Sequence, residues 1–245
     1  MNTFTKYISI LAFGALIVTS CQKEYYLDSG VHDPNFDGTA MDFLASRPDL
    51  FSKLSQAVKI AGLENTLRNE TITFFAPPDS SISRTLWSLN RNLYLAGRDT
   101  VSELSQIDPS VWRFFLSKYI LNGKFLLKDF PQLDTLNLHA FPGQGYLTYD
   151  EEPMNIGVIY NDIVTKNADG VDQIVKYAGY RQLHINDLGG YSISGLTVGP
   201  VATSDIQPVN GAVHVLQYSK HLFGFDPTEF IAKVYTTGVK PIEDE

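Results

Sequence analysis

The run Thr73-Phe74-Phe75-Ala76-Pro77-Pro78-Asp79 is built from β-branched and aromatic residues and is shut by two prolines. Such side chains suit a pleated, half-buried surface, so residues 71–76 are predicted to form a strand. Proline has no N–H to give to a ladder, which ends the pairing at Pro77. A second telling run, Asn210-Gly211-Ala212-Val213-His214-Val215-Leu216, lies far down the chain. Asn-Gly is a strong turn dipeptide because both residues tolerate φ > 0, and the β-branched residues after it predict a strand over 213–218.

Helix surrounds the first run. From Met41 the chain reads as helical: Leu50, Leu54, Val58 and Ala61 recur at helical spacing as a core face, and Gly62 suits the residue that ends the last turn. Asp108-Pro109 announces another helix, since Asp caps free N–H groups and Pro is pre-set for the first helical position. Val111, Phe114, Phe115 and Lys118 share one side of it, and Leu121 is read as completing the stripe before Asn122-Gly123. After Asp134 the character changes. Strand-like runs over 145–149, 156–164, 182–186, 192–198 and 213–218 are separated by Gly, Asn, Asp and Pro. Asp226-Pro227 opens a short helix to about Val234, and the tail from Lys240 is polar. Helices with one early strand, then a mostly antiparallel β half, make an α+β pattern. No internal repeat divides it, so one domain is expected.

The ends carry a different message. Lys6 and the apolar Ile8 to Val18 form a short export-type segment, too brief to cross a bilayer as a helix. Val18-Thr19-Ser20-Cys21 resembles the lipobox of bacterial lipoproteins, which implies removal of residues 1–20 and acylation of Cys21. That cysteine is the only one in the chain, so an intramolecular disulfide is impossible. Each buried CH₂ of an acyl chain is worth roughly 0.8 kcal/mol, so two or three chains anchor stably. Gln22-Lys23-Glu24 resembles the short export signal that sends Bacteroidota lipoproteins to the outer face of the outer membrane. Residues 21–38 read as a tether rich in Asp, Gly, Ser, Pro and Asn. Within it, Asp33 to Gly38 matches half a calcium loop, but the bidentate glutamate falls at Leu44, and turn chemistry accounts for the pattern. The formal net charge of −8 and pI near 5.1 leave no basic footprint for nucleic acid.

Both opening runs resemble the two hallmark motifs of the fasciclin (FAS1) family: Thr-hydrophobic-Phe-Ala-Pro followed by a helix, then Asn-Gly-hydrophobic-His-Val-hydrophobic near the domain's end. Ala61-Gly62-Leu63-Glu64-Asn65-Thr66-Leu67 is similar to the family's lead into the first motif, and Asp134-Thr135-Leu136 sits where the family has a Thr-Leu pair. The likeness spans roughly Phe36 to Phe223 and implies a fasciclin-like fold, N-terminal helices packed on a mostly antiparallel β-wedge, over 39–225, with 226–245 a short helix and tail. It implies that Thr73, Phe75, Ala76, Pro77, Asn210, Gly211, His214 and Val215 are scaffold residues, His214 being hydrogen-bonded inside the fold. Two departures stand out. Where many relatives have Tyr-His, this chain has Tyr119-Ile120, and the second motif ends in Gln217 instead of Asp.

No catalytic constellation is legible. His32, His139, His184, His214 and His221 lack metal-ligand spacing, and no Gly-x-Ser-x-Gly elbow is present. Gly143-Gln144-Gly145 is too short to cradle a phosphate. Glu151-Glu152, adjacent in a hairpin with Pro153, cannot face one glycosidic bond together. The expectation is therefore a binding protein without cofactor or metal, outer-membrane anchored and surface-exposed, whose partners are the membrane through its anchor and an envelope protein or glycan. Adhesion or protein contact is the first reading. The other is an accessory glycan binder of a polysaccharide-uptake system, for which Trp87, Tyr94, Tyr146, Tyr149, Tyr160, Tyr177, Tyr180 and Tyr191 are candidate stacking platforms. Three or more coplanar exposed rings in a groove would favour sugar, and a flat apolar patch would favour protein.

Overall fold

The computed structural model describes residues 33–188 and 196–241. The export segment, Cys21 and Tyr191 lie outside them. A two-residue strand, β1 (Asn35–Phe36), comes first and pairs in parallel with a late strand, Asn35 opposite Gln207. The folded unit thus begins at Pro34, inside the stretch read as tether. Thr39 then caps helix α1 (Ala40–Ser46): its Oγ1 accepts from the Asp42 N–H, and the Asp42 carboxylate accepts from the Thr39 N–H at 3.0 Å. Pro48 starts α2 (Pro48–Ile60), which buries Phe51, Leu54, Ala57 and Val58, and Gly62 at φ +69° ends it as the sequence predicts. A single-turn helix α3 (Glu64–Asn69) leads into β2 (Ile72–Ala76), every residue of which is buried.

After the prolines comes α4 (Asp79–Leu95), and Asp79 has a structural task. Phe51 leaves helical geometry at φ −132°, which frees N–H groups inside α2. The Asp79 carboxylate accepts two of them, from Lys53 and Leu54, each at 2.9 Å. Asp108 caps α5 (Pro109–Ser117) through the Ser110 N–H at 2.9 Å. This helix stops four residues before Leu121. Ile120 to Asn122 instead form β3 (Ile120–Asn122), antiparallel to β2 with Leu121 opposite Thr73. The apolar stripe therefore continues past the helix into a strand that is buried for another reason.

The β half contains β4 (Gln132–Leu133), β5 (Gln144–Leu147), β6 (Pro153–Tyr160), β7 (Ile163–Lys166), β8 (Asp172–Val175), β9 (Arg181–Asp187), β10 (Thr197–Pro208) and β11 (Gly211–Leu216), followed by α6 (Pro227–Thr237). The main sheet runs β3-β2-β11-β10-β9-β6-β4, with β5 on β6 and β1 on β10. The run expected over 156–164 is two strands, β6 and β7, which belong to different sheets. Strand β10 is the joint of the main sheet: Thr197 to Pro200 pair with β9, whereas Val201 to Ile206 pair with β11 across two register shifts. Asp205, at φ +63°, sits at one of those bulges. Between helices and sheet lies an aromatic core in which Trp112, Phe115, Tyr119, Phe223 and Phe230 are fully buried.

Candidate functional site

The two sequence runs that open the chain's reading meet as neighbouring strands of the main sheet. β11 lies parallel to β2, with Gly211 opposite Ile72, His214 opposite Phe75 and Val215 opposite Ala76. Each motif residue then has a definable job. The Thr73 hydroxyl donates to the Gly123 carbonyl at 2.8 Å and accepts from the Phe125 N–H at 2.7 Å, fixing the turn after β3. The Asn210 amide donates to the carbonyls of Leu67 and Glu70, and its oxygen accepts from the Ala40 N–H at 2.8 Å. One side chain thus ties α1, α3 and the start of β11 together. Gly211 allows a close approach: a Cβ there would stand 1.8 Å from the Ile72 carbonyl oxygen.

His214 is fully buried, its ring 5.1 Å from that of Phe75. Its Nδ1 accepts from the Asp205 N–H at 3.1 Å, which places the ring proton on Nε2, 3.0 Å from the Phe125 carbonyl. Burial lowers its pKa to about 4 against the opposing pull of the Phe125 carbonyl and the Asp205 carboxylate. Although Asp205 Oδ1 lies 3.8 Å from Nδ1, the ring is neutral and the two form no ion pair. The bulge at Asp205 thereby locks His214, and its carboxylate caps the Leu127 N–H at 2.7 Å.

The histidine missing at position 120 is replaced across space. Tyr119 is fully buried, and its hydroxyl lies 2.8 Å from Nε2 of His221, more than a hundred positions later, while accepting from the Gly224 N–H at 2.7 Å. Burial, reinforced by the Arg84 cation, lowers the His221 pKa to about 3, and burial drives that of Tyr119 well up. Arg84 donates to the carbonyls of Tyr218 and His221 and so holds the loop that delivers this ring. Nothing in the local sequence could signal the pairing. His184 is buried as well, and burial lowers its pKa to about 4. All three rings are neutral at physiological pH and out of reach of a ligand.

Function must then rest on what remains outside. Among the eight aromatic candidates, four are half-buried and already engaged. Tyr146 packs edge-on against Phe125 and Phe130, Tyr149 bonds Thr66 and Glu70, Tyr160 lies under Arg181, and Tyr177 bonds Asp134. Tyr180 is exposed but stands on another element from the remaining two. Trp87 and Tyr94, 64% and 76% exposed, lie on one side of α4 with Leu95. Arg91, one turn from Trp87, sits over the indole at 5.6 Å. A hollow of about 280 Å³ opens near the end of the same helix, lined by Leu93, Gly97, Arg98, Asp99, Val234 and Val239. Among the described residues no group of three or more His, Cys, Asp or Glu side chains could hold a metal, and no helix is long and apolar enough to cross a membrane.

The parallel motif pair, the helices capping it and the β-wedge define the class, and comparison with known proteins agrees. A family model described as the fasciclin domain matches residues 49–218. The chain belongs to the fasciclin domain family. Among solved structures, a FAS1 domain pair from the insect cell adhesion molecule fasciclin I is similar at 17% identity and a TM-score of 0.44, over 73% of this chain and 49% of that one. The chain thus spans about half the length of that structure. No curated protein matches.

Proposed function

We propose that this protein is a lipid-anchored cell-envelope protein, exposed at the outer membrane surface, whose fasciclin domain mediates adhesion or protein–protein contact. The observation that carries the reading is the outer side of α4. Trp87, Arg91, Tyr94 and Leu95 stand together, open to solvent. Trp, Tyr and Arg are the residue types in which interface binding energy concentrates. Their exposure gains the fold nothing, because the opposite side of α4 already supplies Ile82, Leu89 and Leu93 to the core. A glycan platform finds less support, since four of its candidate tyrosines are held by internal partners and Arg91 covers the indole face of Trp87.

The test compares cells displaying the full chain with cells displaying Trp87→Ala/Tyr94→Ala. Attachment to protein-coated surfaces is expected to fall at least about tenfold, the loss of one modest hot spot. The melting temperature should hold, as exposed substitutions stay within about 0.5 kcal/mol. Selective binding on a glycan array, lost on Tyr180→Ala and untouched by the α4 variant, would overturn the reading in favour of sugar. Radiolabelled palmitate incorporation, abolished by Cys21→Ser, tests the anchor separately.

A further inference from the structure

Strands β7 and β8 form a two-stranded ribbon apart from the main sheet. Ile163 pairs with Val175, Val164 with Ile174, Thr165 with Gln173 and Lys166 with Asp172. Isolated two-stranded ribbons are marginal in water, and this one is apolar on both faces. Val164, Val171, Ile174 and Val175 are each more than half exposed, and Ile163 is 42% exposed. Two ion pairs brace it: Lys166 to Asp172 and Lys176 to Asp162, each at 2.8 Å.

The two strands carry the same charge plan. Asp162-Ile163-Val164-Thr165-Lys166 and Asp172-Gln173-Ile174-Val175-Lys176 both begin with Asp, end with Lys and hold a β-branched residue at the centre. Because an antiparallel neighbour reads the sequence backwards, such a strand is complementary to itself. The backbone permits this. The Asn167 N–H donates to the Val171 carbonyl at 3.0 Å. By the antiparallel alternation, residues 165/173 and 163/175 bond within the ribbon, whereas Asp172 and Ile174 turn their N–H and C=O groups outward.

We propose that a second copy of this chain adds to the free edge of β8, antiparallel and centred on Ile174, joining two ribbons into one four-stranded sheet. In that register Ile174 meets Ile174 of the second copy, and Asp172 meets its Lys176. One face then carries an unbroken apolar row, Val164–Ile174 followed by Ile174–Val164 of the second copy. Rows of alternating sign flank it: Lys166, Asp172, then Lys176 and Asp162 of the second copy. Shifting the register by two residues keeps the backbone bonds but sets Asp172 or Lys176 against Ile174, which loses both the apolar and the ionic match. Edge lysines ordinarily repel foreign strands. Here Lys176 faces a carboxylate when the added strand is this one, so the same residue discriminates for the second copy. Self-association by this edge is independent of the adhesive role of α4.

The test is sedimentation of the full chain from roughly 1 µM to 1 mM. A reversible dimer is expected, and Ile174→Lys, which sets two like charges opposite each other at the two-fold centre, should raise its dissociation constant at least about tenfold. Val164→Lys, the same change on the other edge, should leave it within about threefold. In a Cys21→Ser background, Ile174→Cys should form an intermolecular disulfide under mild oxidation, since opposed residues of a bonded pair lie about 5.5 Å apart, within disulfide reach. A chain monomeric throughout, a dimer indifferent to Ile174→Lys, or one lost only with Val164→Lys overturns the proposal. An unchanged melting temperature for the lysine variants excludes unfolding as the cause.

Discussion

Acid should destabilise this protein well before its carboxylates titrate, because three buried histidines must take up protons on unfolding. His184 and His214 have pKa values lowered by burial to about 4, and His221 to about 3. In the unfolded chain each returns to about 6.5. Below that value the unfolded state binds more protons than the native one, so stability falls as pH falls. The contribution is complete above pH 6.5 and is lost progressively down to the native pKa values. At pH 5 each ring lies about 1.5 units below its unfolded pKa, worth about 2 kcal/mol, or about 6 kcal/mol for three. That is comparable to the whole stability of many domains, about 5–15 kcal/mol. The carboxylates held low, such as Asp108 at about 2, add their loss only below their ordinary value of 3.8. Urea unfolding at pH 7.5 and 5.0, followed by tryptophan fluorescence, measures the difference. His221→Gln, which keeps a group able to accept from the Tyr119 hydroxyl, should reduce the uptake from three protons to two, seen as a shallower pH slope. Equal unfolding free energies at the two pH values would refute the account.

Two further outcomes probe the scaffold. Gly211→Ala drives a Cβ to 1.8 Å from the Ile72 carbonyl and should cost more than about 4 kcal/mol in thermal unfolding, whereas Gly145→Ala, with nothing within 4 Å, should be nearly neutral. Lys118 is buried and reaches Asp187 and Glu229 at 2.9 Å each; burial opposes its charge, but the two carboxylates prevail and raise its pKa. Lys118→Met should therefore destabilise by about 2–4 kcal/mol in urea unfolding, at the lower end because Glu229 keeps partial contact with water.

The α+β class, the end of β2 at Pro77, the caps at Asp108 and Asp226 and the stop at Gly62 were legible, because each follows from local backbone chemistry. Helix α4 was less so. Its buried side includes Ser81 and Thr85, whose hydroxyls bond the carbonyls of Pro78 and Phe223, so its polar residues conceal a core face. Strand β10 contains Pro200, Asp205 and Pro208, which read as breakers. Pro200 sits where β10 passes from β9 to β11, Asp205 at a bulge, and Pro208 where the short parallel β1 pairs. The α5 stripe ran on into Leu121 because burial continues where helix does not. Of the motif residues, composition and spacing showed only strand and turn. That Asn210 ties three elements, or that His221 completes Tyr119, depends on distances along the chain that no local pattern encodes.

The parallel contact of β2 with β11 has a consequence for biogenesis. Gly211 and Ile72 are 139 positions apart (211 − 72), and β11, the strand that pairs with β2, is the last of the described strands to be made. Closing so long a loop before any reward slows folding. A chain emerging from the ribosome can make α1 to α5 early, but the β2–β11 ladder has no second rail until residue 215 is out. The topology therefore leaves β2 without its parallel partner through nearly all of the chain's synthesis.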